Sequence, residues 1–343
     1  MKKTLLIASL MVTALLPIAA QINVSGYSLV YSSETPERAG SLLNLSSEEL
    51  ANCTGDFTNT DKMERNWNYC QKASSEWNKR LATTDEQRAQ VVKFEDGQLR
   101  LLALTTDGTV NGFITGGIRM KKGYKYGIIE VKAKCNPHAS NFPAVWMIPT
   151  DQSVDGWPNC GEIDIMEQIG ASGTVWSTVH LGARYDKPVG KSYSYSGSRS
   201  FGSGYHIYSL LWTESSLIFY CDGTQVFRYD KDYTLDIETN PDFEKWQFPY
   251  NKEFELILNQ SLGKNAWWGS ENPDPGYTYE MDVEYVRIWQ NPDESNRIEL
   301  ETNRGIDEAG NGHEQVCKKI RDGQIIIVVG GKEYTLVGQQ IKG

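Results

Sequence analysis

The sequence has few of the residues that bind catalytic metals. Its 343 residues include four scattered histidines and six cysteines, and no Cys-x-x-Cys pair occurs. Catalytic zinc sites need several nitrogen or sulfur ligands at characteristic spacings. The sequence therefore argues against a catalytic metal and predicts a function without a cofactor, although a structural calcium ion is compatible with it.

Positive charge is also in short supply. Lys and Arg number 34 against 44 Asp and Glu, which leaves a formal net charge of -10 at pH 7. An acidic protein repels phosphates and anionic lipids, so we expect no nucleic-acid or membrane partner. A neutral polysaccharide suits the composition better, because 11% of the residues are aromatic and aromatic rings have apolar faces on which sugars can stack.

Long apolar runs are missing except at the N-terminus. There, Met1 and two lysines precede an apolar stretch over residues 4–16 and a small-residue site over residues 17–20. This order is typical of a secretory signal peptide, and the stretch is shorter than the roughly 20 residues that span a bilayer. We predict that residues 1–20 are a signal peptide and that the protein is exported; an uncleaved anchor is the alternative.

Six cysteines in an exported chain permit disulfides without assigning them. Cys53 and Cys70 bracket a polar, loop-like segment, and a bond between them would restrict the unfolded chain. We therefore favour this pair. Cys160 lies beside an acidic segment, and there we expect a packed free thiol.

The most informative segment covers residues 157–167, Trp-Pro-Asn-Cys-Gly-Glu-Ile-Asp-Ile-Met-Glu. In a strand, alternate side chains share a face, so Glu162 and Asp164 point one way and Ile163 the other. Glu167 joins the two acids only if a β-bulge around residues 165 and 166 takes up one extra residue. We predict such a bulge and one face that carries three acids.

Three like charges on one strand face repel one another, so folding alone gives no reason for them. Retaining glycosidases need a carboxylate nucleophile and a second carboxyl as acid and base, about 5 Å apart. Glu162 and Glu167 would be about 13 Å apart along a bulged strand, a gap that two long side chains can largely close. The alternative is a solvated acidic face, which the apolar residues opposite make unfavourable because they indicate a buried strand.

This segment resembles the bulged active-site motif of glycoside hydrolase family 16, most closely that of laminarinase-like bacterial endo-β-glucanases. Further segments resemble the family in order over about residues 85–290: residues 117–120, 126–134, 142–149, 177–182, 205–212, 254–259 and 283–289. The resemblance implies that Glu162 is the nucleophile, Glu167 the acid and base, and Asp164 an assisting residue. It also implies endo-hydrolysis of glucans containing β-1,3 linkages, and the bulge disfavours the xyloglucan-remodelling and plain lichenase branches.

Candidate sugar-binding residues follow from position and from the resemblance: Trp157, Trp146, His180, Asn259, Arg119 and Trp267. The two tryptophans near the acids are candidate platforms for pyranose faces, and Trp267 lies in a loop that we expect beside the cleft. His180 is a candidate hydrogen-bonding neighbour of Glu167 or of the sugar. Each has a structural alternative, namely core packing for the tryptophans and a satisfied polar group for the others.

Strand-like runs separated by turn residues dominate residues 90–290, with Asp222-Gly223 as a strong hairpin turn. They predict an all-β sandwich of two antiparallel sheets, which the resemblance specifies as a β-jelly roll with a substrate cleft across its concave sheet. Residues 41–90 predict a short helix and long loops. We expect a monomer whose catalytic domain covers residues 21–292.

A polar linker follows Trp289, and residues 293–343 form a separate tail. Two strand-like runs, residues 324–329 and 332–337, flank Gly330-Gly331 and predict a small β-hairpin. The tail is similar to the C-terminal sorting segments of exported Bacteroidetes proteins, which would associate the protein with the outer membrane. A hairpin that packs on the main domain is the alternative.

Two other functions stay open. A noncatalytic carbohydrate-binding jelly roll could use the same surface, but it would need no pair of glutamates. Algal galactans such as agar or porphyran are the second alternative, although sulfated chains would favour a basic cleft. Asn141-Phe142 replaces the tryptophan that many laminarinases carry before Pro-Ala, so the sequence does not decide between laminarin and mixed-linkage glucan.

Overall fold

The chain forms an all-β sandwich with a few short helices near its N-terminus. The computed structural model describes residues 22–153, 155–183, 193–231, 245–263 and 272–291, together with the backbone of four strands between residues 316 and 341. The predicted signal peptide, the linker after residue 291 and Trp267 lie outside the described residues.

Twenty strands are described: β1 Ser28–Ser32, β2 Trp67–Tyr69, β3 Val92–Glu95, β4 Gln98–Thr105, β5 Phe113–Thr115, β6 Gly117–Met120, β7 Gly127–Cys135, β8 Asn141–Pro149, β9 Glu162–Gln168, β10 Thr174–Leu181, β11 Tyr193–Ser200, β12 Tyr205–Trp212, β13 Ser216–Cys221, β14 Thr224–Asp230, β15 Phe254–Leu262, β16 Tyr279–Gln290, β17 Val316–Arg321, β18 Gln324–Val329, β19 Lys332–Thr335 and β20 Gln340–Ile341. The described α-helices are α1 Pro36–Leu42, α2 Ser47–Ala51, α3 Thr60–Asn66 and α4 Asp85–Val91.

Two large sheets confirm the predicted sandwich. One has nine strands, with the order β14-β13-β12-β7-β16-β4-β3, to which β1 and β5 add at β16 and β4. The other has seven strands in the order β11-β10-β9-β8-β15-β6-β2. We call the seven-stranded sheet the cleft sheet, because it carries the acidic strand β9.

The hydrophobic core lies between the two sheets. From the cleft sheet, β9 contributes Ile163, Ile165 and Met166, each at most 1% exposed, and β7 and β12 of the other sheet contribute Val131 and Leu210. Full burial of one such aliphatic side chain favours folding by about 1.5–3 kcal/mol. The inner face of β9 is therefore anchored, and its acids are held on the opposite face.

The predicted hairpin turn is present, and the region predicted to hold one short helix contains three. Residues 41–90 contain α2, α3 and α4, and α2 begins at a capping box formed by Ser46 and Glu49. Asp222 and Gly223 have φ values of 49° and 71° and connect β13 to β14, with Cys221 opposite Thr224. Positive φ at both turn positions is typical of a two-residue hairpin.

The contacts divide the chain into two compact units. The larger contains Leu29–Ile288, and the smaller contains Val24–Ser28 with Trp289–Gly343. In the smaller unit, β18 and β19 pair antiparallel as the predicted hairpin, but they are the central strands of a four-stranded sheet with the order β17-β18-β19-β20. The predicted hairpin is therefore present, and two further strands, β17 and β20, flank it.

The preferred disulfide between Cys53 and Cys70 was wrong. Both thiols are free and buried. Cys70 packs in an apolar cluster with Leu81 and Trp146. The backbone of Cys53 forms an isolated parallel β-bridge with Ser32 of β1. The segment between them is held by helix and strand packing and needs no cross-link. Cys160 is a buried free thiol, as predicted.

Candidate active site

Strand β9 contains the predicted β-bulge. Across from β8, Met166 pairs with Val145 and Asp164 pairs with Trp146, so Ile165 is the extra residue. The register to β10 shifts at the same place. A bulge leaves a strand carbonyl without its ladder partner, and here the buried Ser177 hydroxyl donates to the carbonyl of Ile165 at 2.9 Å. The extra residue places all three acids on the face that points away from the core.

The entrance to β9 requires a glycine. Gly161 has a φ of +86°, in the left-handed region that side chains disfavour. A Cβ at this position would lie 2.9 Å from Pro249 and 3.0 Å from the ring of Tyr250. Gly161 therefore lets the chain turn tightly beneath this wall just before Glu162.

The nucleophile candidate Glu162 is surrounded by defined partners. The indole Nε1 of Trp157 donates a hydrogen bond of 2.9 Å to its Oε2, and Nε2 of His180 lies 3.8 Å from its Oε1. The same His180 nitrogen lies 3.2 Å from Oδ2 of Asp164. Because Tyr250 donates to the carbonyl of His180 at 2.8 Å, the histidine is fixed against the acids from β10.

Burial raises the pKa of all three acids. Each of Glu162, Asp164 and Glu167 has a pKa raised to about 8, and desolvation is the largest cause in each case. The charge of Asp164 is the next cause, and it raises the pKa of both glutamates, whereas His180 lowers the pKa of both. A carboxyl that keeps its proton near neutral pH can act as a general acid.

Trp146 and Asn259 lie together on the cleft side of the sheet, but both are covered. Trp146 is 6% exposed and Asn259 is fully buried. The ring of Trp77 packs on Trp146 edge to face, with centroids 4.9 Å apart. Trp146 donates to Asn259 at 2.7 Å, Asn259 donates to Ser261, and Ser261 donates to the carbonyl of Trp77. Neither predicted residue offers a free face to a sugar in this structure.

The predicted residue Arg119 and the nearby Asn141 also have internal partners. The guanidinium of Arg119 forms a bidentate ion pair with Glu255 of the neighbouring strand β15. Asn141 is fully buried and hydrogen-bonds Gln168 and Gln260. Phe142 is only 8% exposed. The Asn141-Phe142 pair, which replaces the tryptophan of many laminarinases before Pro-Ala, therefore lies below the surface.

On the other side of the acids, the cleft sheet carries residues that the sequence reasoning missed. Trp176 of β10 is 38% exposed and pairs directly with Glu167 of β9. Beyond it, the edge strand β11 presents Ser194, Ser196 and Ser198 to solvent. Strand alternation back from His180 puts Trp176 on the face of the acids and is the signal that could have found it.

Among the described residues, two groups of side chains have ligand atoms close enough to hold a cation. Glu162, Asp164 and His180 form one group, and the ligand atoms of each group lie within 4.8 Å of one another. The other contains His206, Cys221 and Asp222. In that group, Nδ1 of His206 lies 2.7 Å from Asp222, which also accepts a hydrogen bond from the backbone of β12. These contacts hold the β13–β14 turn against β12.

A family model for glycosyl hydrolases family 16 matches residues 76–248, half of the chain. The chain belongs to this family. Its fold agrees: SCLam, a non-specific endo-β-1,3(4)-glucanase of the family, superposes with a TM-score of 0.59 at 24% identity, over 79% of this chain and 94% of that one. None of the helices in the described part of the chain is long and apolar enough to span a membrane.

Relatives with several activities are similar to this family 16 chain. A keratan-sulfate endo-1,4-β-galactosidase of Sphingobacterium multivorum is 28% identical over 70% of this chain and 54% of its own length. A β-glucanase of Rhodothermus marinus is 31% identical over 50% of this chain and 60% of its own. The chain thus spans about half the length of such relatives.

One solved structure comes from work on endo-acting O-glycanases with which prominent members of the human gut microbiota initiate mucin breakdown. It is 30% identical to this chain and superposes with a TM-score of 0.54, over 65% of this chain and 91% of its own length. The family is shown by the family model, while the names of the proteins similar to this chain include more than one class of substrate.

Proposed function

We propose that this protein is a retaining endo-β-glycosidase that cleaves glucans containing β-1,3 linkages, either laminarin or mixed-linkage β-1,3-1,4-glucan. The observation that carries the proposal is the bulged strand β9, which holds Glu162, Asp164 and Glu167 on the face of the cleft sheet that points away from the core. Its position in a family 16 chain with a β-glucanase relative supports the glucan.

In the first step, Glu167 gives its proton to the glycosidic oxygen as the bond to the anomeric carbon breaks. An oxygen of Glu162 attacks that carbon from the opposite face and forms a covalent glycosyl-enzyme. The elevated pKa of Glu167 suits this role, because the acid must still hold a proton near neutral pH. Burial raises the pKa of Glu162 to about 8 as well, so the division of roles between the two glutamates rests on the resemblance to the family motif.

In the second step, the ionised Glu167 takes a proton from water, and the water oxygen attacks the anomeric carbon. The bond to Glu162 breaks, and the sugar leaves with its original β configuration. Esterification has removed the charge of Glu162 in the intermediate, which makes Glu167 easier to ionise but leaves Asp164 as its negative neighbour.

Trp157 and His180 would position the nucleophile. The indole hydrogen bond fixes one carboxylate oxygen of Glu162, while His180 lies between Glu162 and Asp164. With 52% of its surface exposed, Trp157 also retains a free ring face for a sugar. This reaction needs no cofactor, and all its proposed residues come from one chain, as in a monomeric enzyme.

A second candidate substrate is an unsulfated β-1,4-galactoside chain of the keratan or mucin type. The similarity to a keratan-sulfate endo-1,4-β-galactosidase and to a structure from work on mucin O-glycanases favours it. Strands β10 and β11 present Trp176 and three serines beside the acids. These side chains are uncharged, which favours a neutral chain over a sulfated one.

A substrate panel tests the proposal. The purified protein is incubated with laminarin, barley mixed-linkage glucan, desulfated keratan, keratan sulfate, agarose and porphyran, and the products are separated by size. We expect internal cleavage of a β-1,3-containing glucan. Cleavage of desulfated keratan alone would favour the second candidate, whereas binding without cleavage, or cleavage of agarose or porphyran alone, would contradict the proposal.

Export of the enzyme is also part of the proposal. The order of residues 1–20 supports a signal peptide, and a polysaccharide is too large to enter a cell intact. Mass spectrometry of the protein from culture medium and outer membranes would give its N-terminus and its location. An N-terminus at residue 21 is the expected result, and an intact Met1 in the cytoplasm would contradict export.

A further inference from the structure

Exposed tryptophans in the described part of the chain are concentrated at the acidic strand. Large hydrophobic side chains are exposed at three described positions: Leu42, Trp157 and Trp176. Scattered exposed apolar residues need no special explanation. Here, however, both tryptophans contact or face a catalytic candidate, since Trp157 hydrogen-bonds Glu162 and Trp176 lies across from Glu167.

The two sides of strand β9 differ in accessibility. On the β8 side, Trp77 covers Trp146, and Leu81 and Cys70 complete a buried apolar cluster there. On the β10 side, Trp176 is exposed and His180 is partly exposed. The accessible surface beside the acids therefore extends over β10 toward the edge strand β11.

Strand β11 adds three serines to this surface. Ser198 lies across from Trp176, Ser196 across from Thr178, and Ser194 across from His180. Gly197 allows the strand to approach β14 closely, because a Cβ there would lie 2.6 Å from the carbonyl of Val226. Small hydroxyl side chains leave the ring of Trp176 uncovered by β11 and offer hydrogen-bond donors and acceptors beside it.

We propose that Trp176, with Ser196 and Ser198, forms a sugar-binding subsite on the β10–β11 side of the acids. The indole would stack on the apolar face of a neutral pyranose, and the two hydroxyls would hydrogen-bond its ring substituents. An aromatic face with hydroxyls at its edge matches a sugar, which has an apolar face and a polar rim. The inference rests on the proposed function and adds a specificity-determining residue to it.

Affinity in an inactive background tests the subsite without interference from hydrolysis. In the Glu162→Gln protein, the dissociation constants of a β-1,3-glucohexaose and of an unsulfated keratan hexasaccharide are measured by calorimetry. The variants add Trp176→Ala, Trp176→Phe or Leu42→Ala. Leu42→Ala is the matched control, because it removes an exposed apolar side chain from α1, outside the cleft sheet.

For the hexasaccharide that binds more tightly, we expect Trp176→Ala to weaken binding at least tenfold. We expect Trp176→Phe, which keeps an aromatic face, to stay within about threefold, and Leu42→Ala to have no effect. An affinity within twofold for Trp176→Ala overturns the inference. Failure of the proposed function is a different result, namely polysaccharide cleavage that survives Glu162→Gln in the protein with Trp176 intact.

The product pattern gives a second readout in the otherwise unmodified protein. Loss of a subsite changes which bonds of a long chain are cut, so Trp176→Ala should shift the distribution of released oligosaccharides and raise KM more than it lowers kcat. A merely structural role would lower the thermal stability without moving the product pattern. That outcome would also overturn the inference.

Discussion

At the scale of single residues, each proposed catalytic group combines burial with a specific neighbour. Glu162 receives the indole hydrogen bond of Trp157, and Asp164 lies beside His180. Glu167 has the raised pKa of a buried acid near another carboxylate. Because the two glutamates differ in their partners, their roles can be separated experimentally.

Removal of either glutamate should abolish most of the hydrolysis. We expect Glu162→Gln and Glu167→Gln each to lower kcat by about a thousandfold or more, because general acid–base catalysis alone contributes about 10²–10⁴-fold and the nucleophile cannot be replaced by an amide. Initial rates on the accepted polysaccharide measure this. Activity within tenfold of wild type in either variant would contradict the assigned roles.

Azide should distinguish the two roles by stereochemistry. In Glu167→Ala, the nucleophile is intact, so azide should react with the glycosyl-enzyme formed from an activated aryl β-glycoside and give a β-glycosyl azide. In Glu162→Ala, azide should attack directly and give the α product. Proton NMR of the anomeric signal identifies each azide, and the reversed pattern would exchange the two assignments.

The pH profile should depend on Asp164. Its negative charge raises the pKa of both Glu162 and Glu167, so Asp164→Asn should lower both values and move both limbs of the kcat/KM profile to lower pH. Asp85→Asn is the control, since it removes an equal charge from an exposed position in α4. A variant with unchanged rate and profile would show that the three acids do not interact.

At the scale of elements, the sequence predicted the strand better than its surroundings. Alternation together with three acids implied the bulge, because no regular strand places Glu162, Asp164 and Glu167 on one face. Burial of Trp146 was not predictable, since it depends on Trp77, which packs across from a distant segment. Alternation along β10 places Trp176 on the same face as His180. The sequence alone does not show whether that tryptophan is exposed, because a single tryptophan in a strand is often part of the core.

The turn into β9 should be sensitive to any side chain at Gly161. We expect Gly161→Ala to destabilise the fold by about 1–3 kcal/mol for the left-handed backbone, and by about 1–3 kcal/mol more for the contacts with Pro249 and Tyr250. Urea unfolding measures the loss. Gly108→Ala is a matched control, because Gly108 has a φ of +74° and an added Cβ would meet no neighbouring atom. Equal losses of stability in both variants would show that the contacts with Pro249 and Tyr250 contribute nothing.

At the scale of the whole molecule, the active site is a stability cost that grows with pH. The three acids have raised pKa values in the folded protein. The folded state therefore binds more protons than the unfolded state between their ordinary and folded values, and the free energy of unfolding falls as pH rises through this interval. Catalytic carboxylates held in a desolvated cleft commonly destabilise the protein that holds them.

Neutralising Glu167 should relieve part of this cost. Below the ordinary pKa of 4.5, Glu167→Gln should resemble the wild type, and its advantage in stability should grow until the pH passes the folded pKa of about 8. Thermal unfolding at pH 4, 6 and 8 gives the comparison. If the advantage were constant or fell with pH, the carboxyl would not have a raised pKa in the folded state.

The buried thiols of the described cysteines should make this part of the fold insensitive to its redox surroundings. Cys53, Cys70, Cys135, Cys160 and Cys221 are all unpaired and buried, and burial raises the pKa of Cys70 to about 12. Such thiols stay protonated and react slowly with oxidants or other thiols. This part of the fold would therefore keep its shape in an oxygen-free, thiol-rich medium that would reduce exposed, strained disulfides.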